Sequence, residues 1–263
     1  AGAALLGTAL PMPGILLLLA LFAPLAWEAA TTIFRNIVYR LAPPAFLPGY
    51  AFKTGLPHSA RTLVVIPCLF SDRDTVTALV RSLEIHYLAN PDEGLYFALL
   101  SDWADSPQEQ ADNDLDVLGF AETEIERLAQ KYAYAGPRRF FLLHRKRLYN
   151  EAEGVWMGWE RKRGKLHELN LLLRGEEDTT FVSRKADLPD GIQYVLTLDS
   201  DTRLPRDVAR KLIGKLAHPL NAPAIDPLSR RVTEGYGILQ PRVTPSLTTG
   251  DDASVFQRIF SRD

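Results

Sequence analysis

The chain opens on residues 1 to 27 without a charged side chain, and positions 14 to 23 are almost wholly aliphatic. About 20 apolar residues cross the hydrocarbon core of a bilayer, so this stretch predicts a transmembrane helix. Pro11, Pro13 and Pro24 are tolerated there better than in a soluble helix; a buried apolar hairpin is the other reading. Residues 31 to 41 then place Ile33, Phe34, Ile37, Val38 and Leu41 at helical spacing, with Arg35, Asn36 and Arg40 between them. That pattern fits a helix lying at the membrane interface, or an ordinary helix packed on a domain. Pro43, Pro48 and Pro57 punctuate the chain beyond it, so residues 28–60 are expected to be an interfacial helix and a proline-rich linker.

From Arg61 the period alternates. Leu63-Val64-Val65-Ile66-Pro67 is a short β-type run, and Val76, Leu79, Val80 and Leu83 return at helical spacing, with Ser71 and Asp74 as the expected cap. β-type runs recur at residues 95–100, 140–143 and 192–198. Helical patterns occupy residues 115–132, 166–174 (stopped by Gly175) and the stretch opened by Pro205 that carries Val208, Leu212, Ile213 and Leu216. Strand alternating with helix predicts an α/β domain over residues 61–263, a mostly parallel sheet with helices on both faces. Ligands of such sheets gather at the carboxyl ends of the strands.

Composition narrows the partners. The 263 residues are 46% hydrophobic and 24% charged with a formal net charge of -2. This is a globular balance without the basic excess that a nucleic-acid partner requires. The single cysteine, Cys68, sits in an apolar run and can form neither an intrachain disulfide nor a thiolate metal cluster. Arg35, Arg40, Lys53 and Arg61 all follow the apolar start, which by the positive-inside rule places the domain in the cytosol. A signal peptide fits less well, lacking a basic n-region and a cleavage site.

The candidate chemistry lies at strand ends. Leu198-Asp199-Ser200-Asp201-Thr202 sets two carboxylates one residue apart after a buried strand, where an extended backbone would send both to the same side. Such oxygen ligands suit Mg²⁺ or Mn²⁺, which could bridge two phosphates; the alternative is a pair of solvated loop carboxylates. Asp102, in Leu99-Leu100-Ser101-Asp102-Trp103, ends another strand and could accept hydrogen bonds from a base edge or simply cap a turn. The cations of Arg161-Lys162-Arg163-Gly164-Lys165 open a helix, an arrangement for a diphosphate at Lys165 or for a solvated face. Trp156 and Trp159 could stack on a sugar or pack internally. The histidines lack zinc spacing, and no nucleophile elbow, Walker loop or dinucleotide fingerprint occurs.

These stretches resemble the bacterial cyclic β-1,2-glucan synthases, large inner-membrane proteins whose glycosyltransferase segment is related to cellulose and hyaluronan synthases. The resemblance runs from about Arg61 onward. It is carried by Ala98-Leu99-Leu100-Ser101-Asp102-Trp103, by the run from Trp156 to Asn170, and by Thr197-Leu198-Asp199-Ser200-Asp201-Thr202-Arg203-Leu204-Pro205-Arg206. Gly235-Tyr236-Gly237-Ile238-Leu239-Gln240-Pro241-Arg242-Val243 and Phe256-Gln257-Arg258-Ile259-Phe260-Ser261 complete it.

The resemblance implies a GT-A fold, UDP-glucose as donor, a divalent ion, a growing glucan acceptor and inversion at the anomeric carbon. Pro67 would begin the nucleotide loop, Asp102 would contact uracil, and Lys165 and Asn170 would line the diphosphate. Asp199 and Asp201 would be the donor and metal carboxylates, and Gln240 with Trp159 would flank the acceptor path. Two departures stand out: Phe70-Ser71-Asp72 replaces the usual Asn-Glu after the first strand, and no Thr-Glu-Asp-like base or Gln-x-x-Arg-Trp-like element precedes Asp263. Glu234 is a remote candidate base. The competing readings are a non-catalytic nucleotide-sugar-binding scaffold and a metal-dependent nucleotidyltransferase.

Overall fold

The computed structural model describes residues 12–43, 46–182, 188–241 and 243. The expected beginning of the membrane segment, the stretch from Phe256 to Ser261 and Arg242 lie outside the described residues. Two compact units divide the chain, Ala1–Leu47 and Pro48–Asp263.

The described part of the first unit is dominated by one helix, α1 (Met12–Leu41), of 30 residues with Pro24 inside it and no buried residue. At 1.5 Å per residue it is about 45 Å long, more than the roughly 30 Å hydrocarbon thickness of a bilayer. It is long and apolar enough to cross a membrane. The expected division at residue 27 into a spanning and an interfacial helix is not seen, because nothing between Trp27 and Leu41 breaks the backbone ladder.

The second unit is built on a four-stranded sheet in the order β3-β2-β1-β6, with every neighbouring pair parallel. The strands are β1 (Thr62–Phe70), β2 (Leu95–Trp103), β3 (Phe140–His144) and β6 (Tyr194–Thr197). A small antiparallel hairpin, β4 (Leu148–Asn150) and β5 (Val155–Met157), follows β3. Another, β7 (Ala224–Ile225) and β8 (Val232–Glu234), lies near the end.

Period-two alternation sorts the strand residues. Val64, Ile66, Cys68 and Phe70 face one core with α2 (Arg73–Ala89), α3 (Asp114–Lys131) and α5 (Val208–Leu216), whereas Leu63 and Val65 face a second core with α4 (Arg161–Leu173). Both faces of β1 and β2 are thereby covered, which is what their nearly uninterrupted apolar runs require.

Three local expectations are corrected. The cap of α2 is Asp72, not Ser71 with Asp74: its extended backbone lets the carboxylate accept the N–H of Thr75 at 2.7 Å. Pro67 does not begin a loop, since β1 continues to Phe70. The missing N–H of Pro67 faces the side on which β6 has already ended opposite Val65, so no ladder bond is lost.

The proline-rich stretch is also not a free linker. Residues 48–60 lie on the domain, with the Tyr50 N–H donating to the Gly214 carbonyl at 2.9 Å and the Leu56 N–H donating to the buried Asp92 carboxylate at 3.1 Å. A side chain at Gly214 would collide with the Tyr50 carbonyl oxygen. Gly214→Ala is therefore expected to lower stability by about 1–3 kcal/mol and to speed proteolytic cleavage near Lys53. Thermal unfolding and limited proteolysis check this; wild-type values in both would contradict the docking.

Candidate functional site

The chain runs outward from β1 to β2 and β3, then returns to place β6 on the other side of β1. The direction of winding reverses between β1 and β6, the place at which such sheets generally bind ligands at their carboxyl ends. A cavity of about 2180 Å³ runs along the outer edge of β6, from Thr62 and Tyr194 to the turn beyond Thr197. Its walls include Asp74, Lys162, Asp199, Asp201, Arg203 and Gln240.

The two carboxylates reach the cavity by a turn rather than by extended backbone. The Leu198 N–H still donates to the Val65 carbonyl at 2.9 Å, one residue past β6; then the Thr202 N–H bonds back to the Asp199 carbonyl at 2.9 Å. Asp199 and Asp201 are both exposed. The cation on Asp199 is the Lys162 ammonium, from the first turn of α4.

No group of three or more His, Cys, Asp or Glu gathers among the described residues. The available donors are two hard carboxylates, of which Asp199 is already paired with a cation. That set suits an ion that fills its remaining positions with water and ligand oxygens, as Mg²⁺ does.

Beneath α4 lies a dry ion cluster. Arg145, whose side chain is 0% exposed, donates to both oxygens of Asp102 at 2.7 and 3.0 Å and to Glu168 at 3.0 Å. It also donates to the Trp159 and Arg161 carbonyls at 3.0 and 3.2 Å. Glu168 is held in turn by the N–H and hydroxyl of Thr180, both at 2.7 Å. Lys165, 3% exposed, donates to the Cys68 carbonyl at 2.7 Å and Asp102 at 2.9 Å, with the Leu100 carbonyl at 3.5 Å.

Burial pulls the Lys165 pKa below its ordinary value, against the opposing pull of Asp102. The same burial pushes the Cys68 thiol up to about 12, leaving it unreactive. Gly158 is required here, because a Cβ would lie 2.5 Å from the Asp102 carboxylate.

The cavity thus gathers Asp199, Asp201 and Gln240 of the expected site residues, and adds Lys162. Asp102 and Lys165 face the interior of the protein, consumed by each other and by Arg145. Pro67 is inside β1, Asn170 is exposed on α4, and neither lines the cavity. Trp159 is 43% exposed with its ring 6.1 Å from His167, outside the cavity lining. Trp156 packs against Tyr149 in the hairpin at 5.5 Å.

Arg145 and Glu168 escaped the sequence reading. In the structure Arg145, Lys146 and Arg147 are buried, exposed and buried directly after a strand, an alternation that the basic run by itself does not announce. Arg147 repeats the device on the other side, pairing with Asp114 and donating to the Ala104 carbonyl at 2.8 Å.

A parallel α/β sheet with helices on both faces, a cavity beside β6 and paired carboxylates at a strand end is consistent with a GT-A-like fold. No family model matches the chain. The chain is 60% identical over 252 residues to cyclic beta-(1,2)-glucan synthase NdvB of Rhizobium meliloti (strain 1021). The match takes in 96% of this chain and only 9% of that relative's length.

His144 gives this end of the sheet a pH signature. Its Nδ1 meets the Ser101 hydroxyl at 2.8 Å, its ring stacks on Phe70 at 5.6 Å, and Trp103 approaches edge-on at 4.3 Å. Nε2 is buried without a hydrogen-bond partner among the described residues. Burial lowers the pKa to about 4; Asp102 and Asp114 oppose the shift, while Lys165 and Arg147 reinforce it.

The folded pKa lies below the unfolded value of about 6.5, so the neutral ring's contribution is complete above that pH and is lost as pH falls toward 4. By pH 5 the loss is on the order of 2 kcal/mol. Urea unfolding at pH 7 and pH 5 should show a smaller difference for His144→Phe than for wild type; an equal difference would contradict the assignment.

Proposed function

We propose that this segment is the donor-binding part of a glycosyltransferase that moves glucose from UDP-glucose to a growing β-1,2-glucan with inversion. The observation that carries the reading is the Asp199 and Asp201 pair on the wall of the cavity beside β6, at the carboxyl end of that strand. The name of the 60% identical relative supports a glucan product. The long apolar α1 supports attachment to a membrane, which we place at the bacterial inner membrane with the second unit on the cytosolic side.

In this reading Asp199 and Asp201 hold Mg²⁺ or Mn²⁺. Bound there, such an ion would supply positive charge to the departing diphosphate. The protein residues orient that group: the β6 turn presents both carboxylates to the cavity, and α4 presents Lys162. Gln240, exposed on the same wall, flanks the route by which an acceptor sugar would approach. Asp102 and Lys165 act from beneath, keeping β1, β2 and α4 in register so that the cavity keeps its shape.

Asp199→Asn and Asp201→Asn in the full-length protein are expected to lower glucan synthesis by about 100-fold or more, because charge stabilisation at a leaving group is worth several kcal/mol. Both positions are exposed, so the melting temperature should hold. Near-normal synthesis by both variants would remove the pair from the reaction.

A further inference from the structure

We propose that Lys162 is a displaceable counter-ion: it neutralises Asp199, and moves onto the anionic group of the ligand when that carboxylate takes a divalent ion. The proposal deepens the donor-site reading and rests on it. An ammonium has three protons to donate. Those of Lys165 are directed to the Cys68 carbonyl, Asp102 and the Leu100 carbonyl, inside the protein. The lysine of this helix that faces the cavity is Lys162, three residues earlier, paired with Asp199 and with 51% of its side-chain surface open.

The turn that carries Lys162 is built to hold its direction. Glu160 and Arg161 adopt φ values of 50° and 47°, a left-handed conformation that side-chain-bearing residues rarely take. The surroundings must over-determine such a pair. Arg145 does so from below, binding the carbonyls of Trp159 and Arg161 at 3.0 and 3.2 Å while Asp102 and Glu168 anchor the guanidinium itself. Gly164 completes the turn, since a side chain there would collide with the Trp159 carbonyl oxygen. The strained turn is rigid, and the lysine that leaves it is long and solvated.

The contact that Lys162 makes is one that can open. Both partners are more than half exposed, so water and salt screen the pair. A divalent ion on that carboxylate would repel the ammonium beside it, so ligation favours release of Lys162 from Asp199. The freed ammonium is a compact point charge on a flexible stem, already at the cavity wall.

Calorimetry on the full-length protein in detergent, with Mn²⁺ alone, UDP plus Mn²⁺, and uridine, tests this for wild type, Lys162→Met and Lys162→Arg. Lys162→Met should bind Mn²⁺ about threefold or more tightly, because a competitor for Asp199 is gone. It should bind UDP in the presence of Mn²⁺ about fivefold or more weakly, with uridine unchanged. Lys162→Arg should recover most of the UDP affinity. Either affinity unchanged in Lys162→Met, or an equal loss of UDP and uridine, overturns the proposal. Wild-type protein that binds neither Mn²⁺ nor UDP would instead overturn the donor-site reading beneath it.

Discussion

The guanidinium of Arg145 is the fixed point of the second unit. A charge wholly removed from water is tolerable only when every polar neighbour is satisfied. Here the neighbours come from β2 through Asp102, from α4 through Glu168 and the Arg161 carbonyl, and from the turn before α4 through the Trp159 carbonyl. Lys165 closes the cluster onto β1 through the Cys68 carbonyl. Removing one member would strand the others, a loss of about 3–5 kcal/mol for a buried pair. The cluster therefore acts as a single rivet through β1, β2, β3 and α4.

This constraint explains the division of labour among the charged residues. Lys165 and Asp102 carry the charges expected of a ligand site, yet their bonds are made within the protein. Their exposed counterparts, Lys162 and Asp199, stand over the cavity, where charge remains available to a ligand. Rigid interior pairs set the geometry, and solvated pairs nearer the rim are free to exchange partners.

Much of this fold was legible in the sequence. The β-type runs, the helical spacings and the alternation between them give the parallel sheet and its two-sided cover, because burial on both faces leaves few polar interruptions in β1 and β2. Asp199 and Asp201 were legible as a strand-end pair; the turn that presents them was not, since β6 stops at Thr197 and the Thr202 bond is a local choice of the backbone. Arg145 was illegible for another reason: its partner Asp102 lies 43 residues away, and in isolation His144-Arg145-Lys146-Arg147 reads as a solvated basic run. The docking of residues 48–60 on Gly214 and Asp92 was hidden similarly, because prolines announce a break in helix but not what the broken chain then packs against.

The nucleotide-sugar is proposed to sit in the cavity beside β6, at the turn that carries Asp199 and Asp201. Hydrogen–deuterium exchange with and without UDP-glucose and Mn²⁺ measures this directly. The predicted result is protection confined to peptides covering residues 70–76, 158–166 and 197–204, which border that cavity. Protection centred on the β4–β5 hairpin or the β7–β8 hairpin, or no protection at saturating ligand, would contradict it.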